Sequence, residues 1–340
     1  MRSKGHIILW TISILLFVFF VALRFSEKMH TSRLLLLSHS FGKGHPIHKF
    51  LEDFAREIET ESKNKIRVKI YDSSQLGAEP QFVEQIRLGI LSGGIVSNQA
   101  LAKFSPDFLV LQYPYVFVDE QQTRMFLNAE GENYLKHKLS ETKSNLILCC
   151  SLTNGMNGMY FTKEAERFMH LDKSQDFYFA YNTHPVYKKF FAQQGLLSIP
   201  VAKGEIYSAL QMGMLHAGEN TLHGLIGSKH HETAKNFVAT NHSSAIFFLV
   251  MNYSTFWNSF DENESLMFMQ AWKKAKAIFE KKEGASNTEL ATKNDIILHF
   301  PNKSQHKAWK MAADRIQEKS SVPWNRNFYK RAKSFGANKK

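Results

Sequence analysis

Two hydrophobic periods alternate along this chain, and that alternation restricts its fold more than any other feature. Ile66-Arg67-Val68-Lys69-Ile70 alternates apolar and polar residues, the pattern of a half-buried strand. Just before it, Leu51, Phe54, Ala55 and Ile58 stand at i, i+3, i+4 and i+7, which gives a helix one apolar face. Arg33–Ser38 and Ile95-Val96 read as further short strands, with Phe82, Val83, Ile86 and Ile90 marking a helix between them. Strands separated by helices of this length need right-handed crossovers, so the sheet is expected to be mainly parallel. The pattern resumes with a strand at Leu146–Cys150, then strands at 177–181 and 197–201 that flank a helix at Pro185–Gln193. A helix at Ile206–Leu215 and an apolar strand at Ala245–Met251 follow. Phe268, Ala271, Trp272, Ala275, Ile278 and Phe279 then define a long amphipathic helix near residues 261–282, with Asp261 as its N-cap.

The amino terminus has a different character. Residues 1–6 carry two fixed positive charges, and residues 7–23 follow as an apolar run broken only by Thr11 and Ser13. A basic flank before an apolar core is the layout of an export signal. No small-residue cleavage site follows, which favours an uncleaved signal anchor over a cleaved signal peptide, and the charge before the run directs the remainder across the membrane. The rest of the chain exceeds the usual size of a single hydrophobic core, so two lobes are the default.

Composition narrows the function classes. Hydrophobic residues make up 44% of the chain, enough for a packed interior. A formal net charge of +12 would suit an anionic partner, but the Lys and Arg residues are scattered and no nucleic-acid motif is present, so nucleic acid is not an expected partner. The only cysteines, Cys149 and Cys150, are adjacent, cannot close a normal disulfide with each other, and read as small core residues. Fifteen histidines raise the question of a metal enzyme. Yet His216, His223, His230 and His231 have no metal-ligand spacing, and His230-His231 reads as a surface pair. Neither a nucleophile elbow nor a phosphate-cradling glycine loop occurs, so the chain is read as neither enzyme nor cofactor protein.

Short motifs in a fixed order carry a resemblance. In the first part of the chain they are His45-Pro46-x-His48-Lys49, Ser74-Gln75-Leu76-Gly77, Glu84-Gln85-x-x-x-Gly89, Ala100-Leu101-x-x-Phe104-x-Pro106 and Tyr113-Pro114-Tyr115-Val116-Phe117. The second part adds Gly204-Glu205-x-Tyr207-x-Ala209-Leu210-Gln211-x-Gly213, Glu219-Asn220 and Thr240-Asn241-His242. Over roughly residues 33–282 the chain resembles the DctP-type extracytoplasmic substrate-binding subunits of tripartite ATP-independent periplasmic (TRAP) transporters. The resemblance implies a type II, two-lobed α/β binding-protein fold with mixed, mainly parallel sheets flanked by helices. It also implies a periplasmic location, with the inner membrane reached through residues 7–23, and two membrane permease subunits, one small and one large, as partners. The expected division is residues 1–30 as signal segment, 31–153 with about 242–283 as the first lobe, and 154–241 with about 284–340 as the second. Gly155 and Asn241–Ser244 are the expected crossovers, and Trp324 with Phe328-Tyr329 is expected to dock a tail helix on the second lobe.

In the family the resemblance points to, one arginine from a strand segment and another from a turn after the crossover grip the ligand carboxylate, a geometry that suits the planar guanidinium fork. The matching positions here are Ala180 and Asn157, and no arginine lies between Arg124 and Arg167 or between Arg167 and Arg315. The expected solute is therefore a small organic acid held otherwise, by Lys203 or His184, or a neutral, zwitterionic or more aromatic analogue. Asn157, Ala180, Asn182, His184 and Asn220 are the candidate contacts of the second lobe, with turn formation the rival role for Asn157 and helix capping for Asn220. Glu205 is expected to bond backbone at a helix start. Ser38, His39, Ser97 and Asn98 follow strands of the first lobe, where ligands of open α/β sheets sit. Tyr115 either stacks on the ligand or is buried in the core. A membrane-tethered sensor or scaffold is the alternative to a transport receptor.

Overall fold

The computed structural model describes residues 32–162, 177–180, 185–193, 196–199, 201, 203–254, 256–282, 287–318 and 322–335. The apolar run at 7–23 lies outside them, as do Asn182 and His184. Among the described residues, no helix is long and apolar enough to cross a membrane.

The chain opens with β1 (Arg33–Ser38), α1 (Pro46–Glu61), β2 (Ile66–Tyr71), α2 (Glu79–Arg87), β3 (Gly93–Ser97) and the short α3 (Asn98–Leu101). β1 pairs with β2 and β3 in parallel, as the crossover pattern requires. After α4 (Glu120–Phe126) and α5 (Glu132–Ser140) comes β4 (Leu146–Phe161). A second parallel group follows: β5 (Phe177–Ala180), α6 (Pro185–Ala192), β6 (Leu196–Ile199), α7 (Ile206–Gln211), β7 (Ala217–Asn220) and α8 (Leu222–Gly227). β8 (Asn236–Asn252), α9 (Glu262–Lys282), α10 (Asn287–Lys293), β9 (Ile297–His299), α11 (Lys303–Glu318) and α12 (Arg326–Ser334) complete the fold. The strands form one mixed sheet in the order β2-β1-β3-β8-β4-β7-β5-β6, with β9 joined to β8.

Two long strands tie the parallel groups together. β4 has 16 residues and β8 has 17, and they run antiparallel from one group into the other. The sequence pattern reveals only one apolar half of each, at 146–150 and 245–251. The other halves carry Thr153, Asn154, Asn157, Thr240, His242, Ser243 and Ser244, polar residues that break the apolar run yet are buried. They remain in strands because many of them bond one another or neighbouring side chains, as Asn157 Nδ2 does with Ser243 Oγ at 3.0 Å. The register slips between Thr153 and Met156 and again between Asn157 and Met159. Gly155 lies at the first slip with φ +84°, and Asn241 opposite has φ +47°, so both expected crossovers are bulged backbone inside continuous strands.

The long helix forms as its period predicts. Asp261 and Glu264 cap it reciprocally, Glu264 N–H donating to Asp261 Oδ1 at 2.7 Å. Its face of Phe268, Ala271, Trp272, Ala275 and Phe279 packs on α1, with Phe54 5.1 Å from Phe268 and Phe50 4.9 Å from Trp272, ring to ring. Truncating such a ring to alanine typically costs about 3–5 kcal/mol. The tail departs from expectation. β9 does join β8 beside the second parallel group, but α12 packs on the first. Trp324 meets Tyr113 edge-on at 5.3 Å, Phe328 stacks on Tyr134 at 4.0 Å, and Arg331 pairs with Glu130 at 2.9 Å. The apolar anchors were read correctly, but their partners lie some 200 residues upstream, which no local period encodes.

Candidate functional site

The two parallel groups are joined through the bulged middle of β4 and β8, where Asn157 sits and where side chains of both groups meet. Asn154 is 1% exposed. Its side-chain amide reaches His45 Nε2 from the first group and Thr221 Oγ1 from the second, each at 3.5 Å. The other end of that amide is buried and has no hydrogen-bond partner among the described residues. His45 is placed by the loop after β1, where it caps α1 by accepting from Ile47 N–H and stacks on Phe41. Thr221 caps α8 by accepting from Gly224 N–H at 2.9 Å. Gly227, at the end of α8, approaches His45 so closely that an added Cβ would stand 2.9 Å from the ring. A second bridge joins the groups where Tyr187 of α6 donates its phenol to Gln112 O at 2.8 Å. Burial raises the Tyr187 pKa well above its ordinary value, with the nearby Glu219 adding to the effect, so the phenol stays a donor.

The wall formed by β7 and β8 holds an unusual pair. Glu219 Oε1 and His242 Nε2 stand 3.1 Å apart, both side chains 5% exposed or less. His242 Nδ1 meets Thr240 Oγ1 at 2.7 Å. Glu219 Oε2 is buried with no hydrogen-bond partner among the described residues. The rings of Tyr187, Phe190 and Phe191 lie 5.5–6.0 Å from the His242 ring.

The residues singled out in the sequence fall into distinct settings. Asn157 bonds Ser243 as above, within the bulge. Asn220 ends β7 half-buried, its Oδ1 accepting from Thr221 N–H at 2.9 Å, while its side chain lies against Gly224. Ala180 ends β5, its backbone level with Gly218 and Ile199. Ser38 Oγ is buried and has no hydrogen-bond partner among the described residues. His39 is engaged on both ring nitrogens, by Phe41 N–H and by His48. Burial lowers its pKa to about 4, helped by His48 and opposed by Asp72. Ser97 holds Glu79 through both its N–H and its hydroxyl and caps α3. Asn98 donates to Phe108 O at 3.4 Å. Tyr115 is 7% exposed in a left-handed conformation, donates its N–H to His242 O at 2.6 Å, and meets Phe190 edge-on. Its candidate partners are thus core rings and backbone.

Three expectations are corrected. Glu205 is exposed and makes no capping hydrogen bond. His230 is buried against Tyr160 and does not form a surface pair with its neighbour. Helix α7 ends at Gln211, short of the expected Leu215, because Gly213 turns the chain at φ +69°. The sequence reading also passed over Asn154 and Thr221 as individual contacts. Thr221 was legible as a hydroxyl before the apolar run Leu222–Ile226, whereas nothing local announces Asn154.

Among the described residues, no three His, Cys, Asp or Glu side chains are grouped to hold a metal ion. Four of the described arginines are engaged elsewhere: Arg33 with Ser259, Arg56 with Asp53, Arg87 with Glu84 and Arg331 with Glu130. Arg124 comes nearest the bulge through its bonds, by way of Glu120, whose carboxylate also accepts from Thr153.

Comparison with known proteins places this geometry. A Haemophilus influenzae protein without an assigned function is 26% identical over 281 residues, 81% of each chain. The C4-dicarboxylate-binding periplasmic protein DctP of Rhodobacter capsulatus is 25% identical over 232 residues, 65% of each chain. The crystal structure of a TRAP periplasmic solute-binding protein from Shewanella oneidensis, with bound succinate, superposes with a TM-score of 0.81. It is 16% identical, and the match covers 89% of this chain and 99% of that one. The family described as bacterial extracellular solute-binding protein, family 7 (DctP), matches residues 37–321, so the chain belongs to that solute-binding family.

Proposed function

We propose that this chain captures a small organic solute between its two parallel groups and delivers it to the membrane subunits of a TRAP transporter. The observation that carries the reading is the pair of long strands, β4 and β8, bulged where they pass between the groups. Strands with two backbone arrangements available at a bulge can act as hinges, and the polar residues they carry are then presented to whatever the halves enclose. A ligand favours closure only by binding the closed form better than the open one. The first lobe is then 32–153 with 242–282, onto which α12 folds back, and the second is 154–241 with β9. Asn157, Ala180, Asn182, His184 and Asn220 are proposed to face the solute from the second lobe, and Ser38, His39, Ser97 and Asn98 from the first, with Tyr115 packed in the core beside them. Residues 7–23 are proposed to export the chain and hold it at the inner membrane. The ligands of similar proteins, succinate and C4-dicarboxylates among them, support an organic solute of this size.

The test is native mass spectrometry of the protein purified from its own host, together with small-angle scattering before and after the retained solute is removed. A retained small molecule and expansion on its removal are expected. A protein that carries nothing and has one unchanging shape would refute the reading.

A further inference from the structure

We infer that the solute presents an ammonium or comparable N–H donor to Glu219, in place of the carboxylate that two arginines would grip. The inference rests on the cleft-binding reading above. Glu219 lies one residue from Asn220 on β7 and pairs with Met159, two residues along β4 from Asn157. Its carboxylate therefore stands on the wall where the resemblance would place a guanidinium. One of its oxygens is engaged by His242, while the other is buried without a partner among the described residues.

The neighbouring groups do not relieve that oxygen. Tyr160, whose pKa Glu219 helps to raise, is engaged with His230 Nδ1 at 3.2 Å. Tyr187 donates to Gln112 O, and the second nitrogen of His242 belongs to Thr240. No described Lys or Arg forms an ion pair with Glu219. A carboxylate oxygen buried in this way is costly until a donor reaches it, and a charged donor makes the stronger bond. A carboxylate ligand at the same wall would add like charge instead.

Calorimetry with matched probes tests this directly. The probes are glutarate, 4-aminobutyrate and 1,4-diaminobutane as one series, and D-galacturonate and D-galactosamine as another. The amine-bearing members are expected to bind and the acid-only members to bind weakly or not at all. Glu219→Gln is expected to lower amine affinity about 10- to 100-fold, the usual range for a hydrogen bond to a charged group. Glu219→Asp, which keeps the charge, should retain more affinity than Glu219→Gln. Tight binding of glutarate or D-galacturonate, or an unchanged amine affinity in Glu219→Gln, overturns the inference and leaves the receptor reading intact. If neither variant folds or no probe binds, the solute retained by the wild-type protein from its own host decides. A basic nitrogen in it supports the inference and its lack overturns it. A protein that retains nothing and binds no probe sinks both readings.

Discussion

His39 illustrates how much one buried side chain can dictate. Phe41 N–H donates to its Nδ1, so Nε2 carries the proton and donates to His48 Nδ1 at 3.0 Å; His48 in turn reaches Glu52 Oε1 at 3.2 Å. This relay runs in one direction only while His39 is neutral, which agrees with a pKa held at about 4 by burial and by His48. The sign follows from linkage. The unfolded chain takes up the proton near pH 6.5 and the folded one only near 4, so stability is full above 6.5 and declines as the pH falls between those values. The loss is expected to be about 1–3 kcal/mol. Urea midpoints at pH 7.5 and 4.5 check it, with His39→Gln expected to show a smaller acid-induced drop than the wild type. Equal drops in the two proteins would assign the effect elsewhere, His230 being another histidine, among the described residues, whose pKa burial lowers to about 4. The position of His39 after a strand was legible in the sequence. Its partner was not, because residues nine apart meet only once a loop and the first turns of a helix have formed.

Regular elements were legible wherever burial followed a period. α9 announced itself through Phe268 to Phe279, and β2 through its strict alternation. β4 and β8 hid their length because their middles are polar on both faces. Their continuity depends on hydrogen bonds between residues such as Asn157 and Ser243, 86 positions apart. Thr221 is the capping residue that couples such an element to the bulge, since its hydroxyl serves both Gly224 N–H and the Asn154 amide. Thr221→Ala should cost about 1 kcal/mol for the lost cap. Thr221→Ser, which keeps the hydroxyl, should cost less than half of that. Thermal or urea denaturation separates the two, and equal losses would show that the methyl group, not the cap, is what matters. Gly218 constrains the same region for a steric reason, because a Cβ there would run into the Tyr160 ring. Tyr160 is itself 1% exposed and cannot withdraw.

Across the whole molecule, the proposed closure would be governed by a few bonds between the two parallel groups. His45 with Asn154 and Thr221 makes one such contact, and Tyr187 with Gln112 another. α11 adds a third tie, since its Ala313 carbonyl accepts from Tyr113 at 2.9 Å while the helix also packs on α6. Each such bond is worth only about 0.5–1.5 kcal/mol net, but a two-state balance responds by about tenfold for every 1.4 kcal/mol. Tyr187→Phe removes the phenol from Gln112 O while keeping the ring that packs on Phe191 and His242. It should therefore shift the population towards the open form and weaken solute affinity about 3- to 10-fold without a large loss of fold. Spin labels at Lys49→Cys and Lys235→Cys, both exposed, would report the separation between the groups. The native Cys149 and Cys150 are buried, and burial pushes the Cys149 thiol up to about 12, so neither competes for the label. Tyr187→Phe should gain a population at longer distance that added solute draws back. An unchanged distance distribution would mean that Tyr187 is a core residue with no part in closure, and that the remaining ties hold the halves without it.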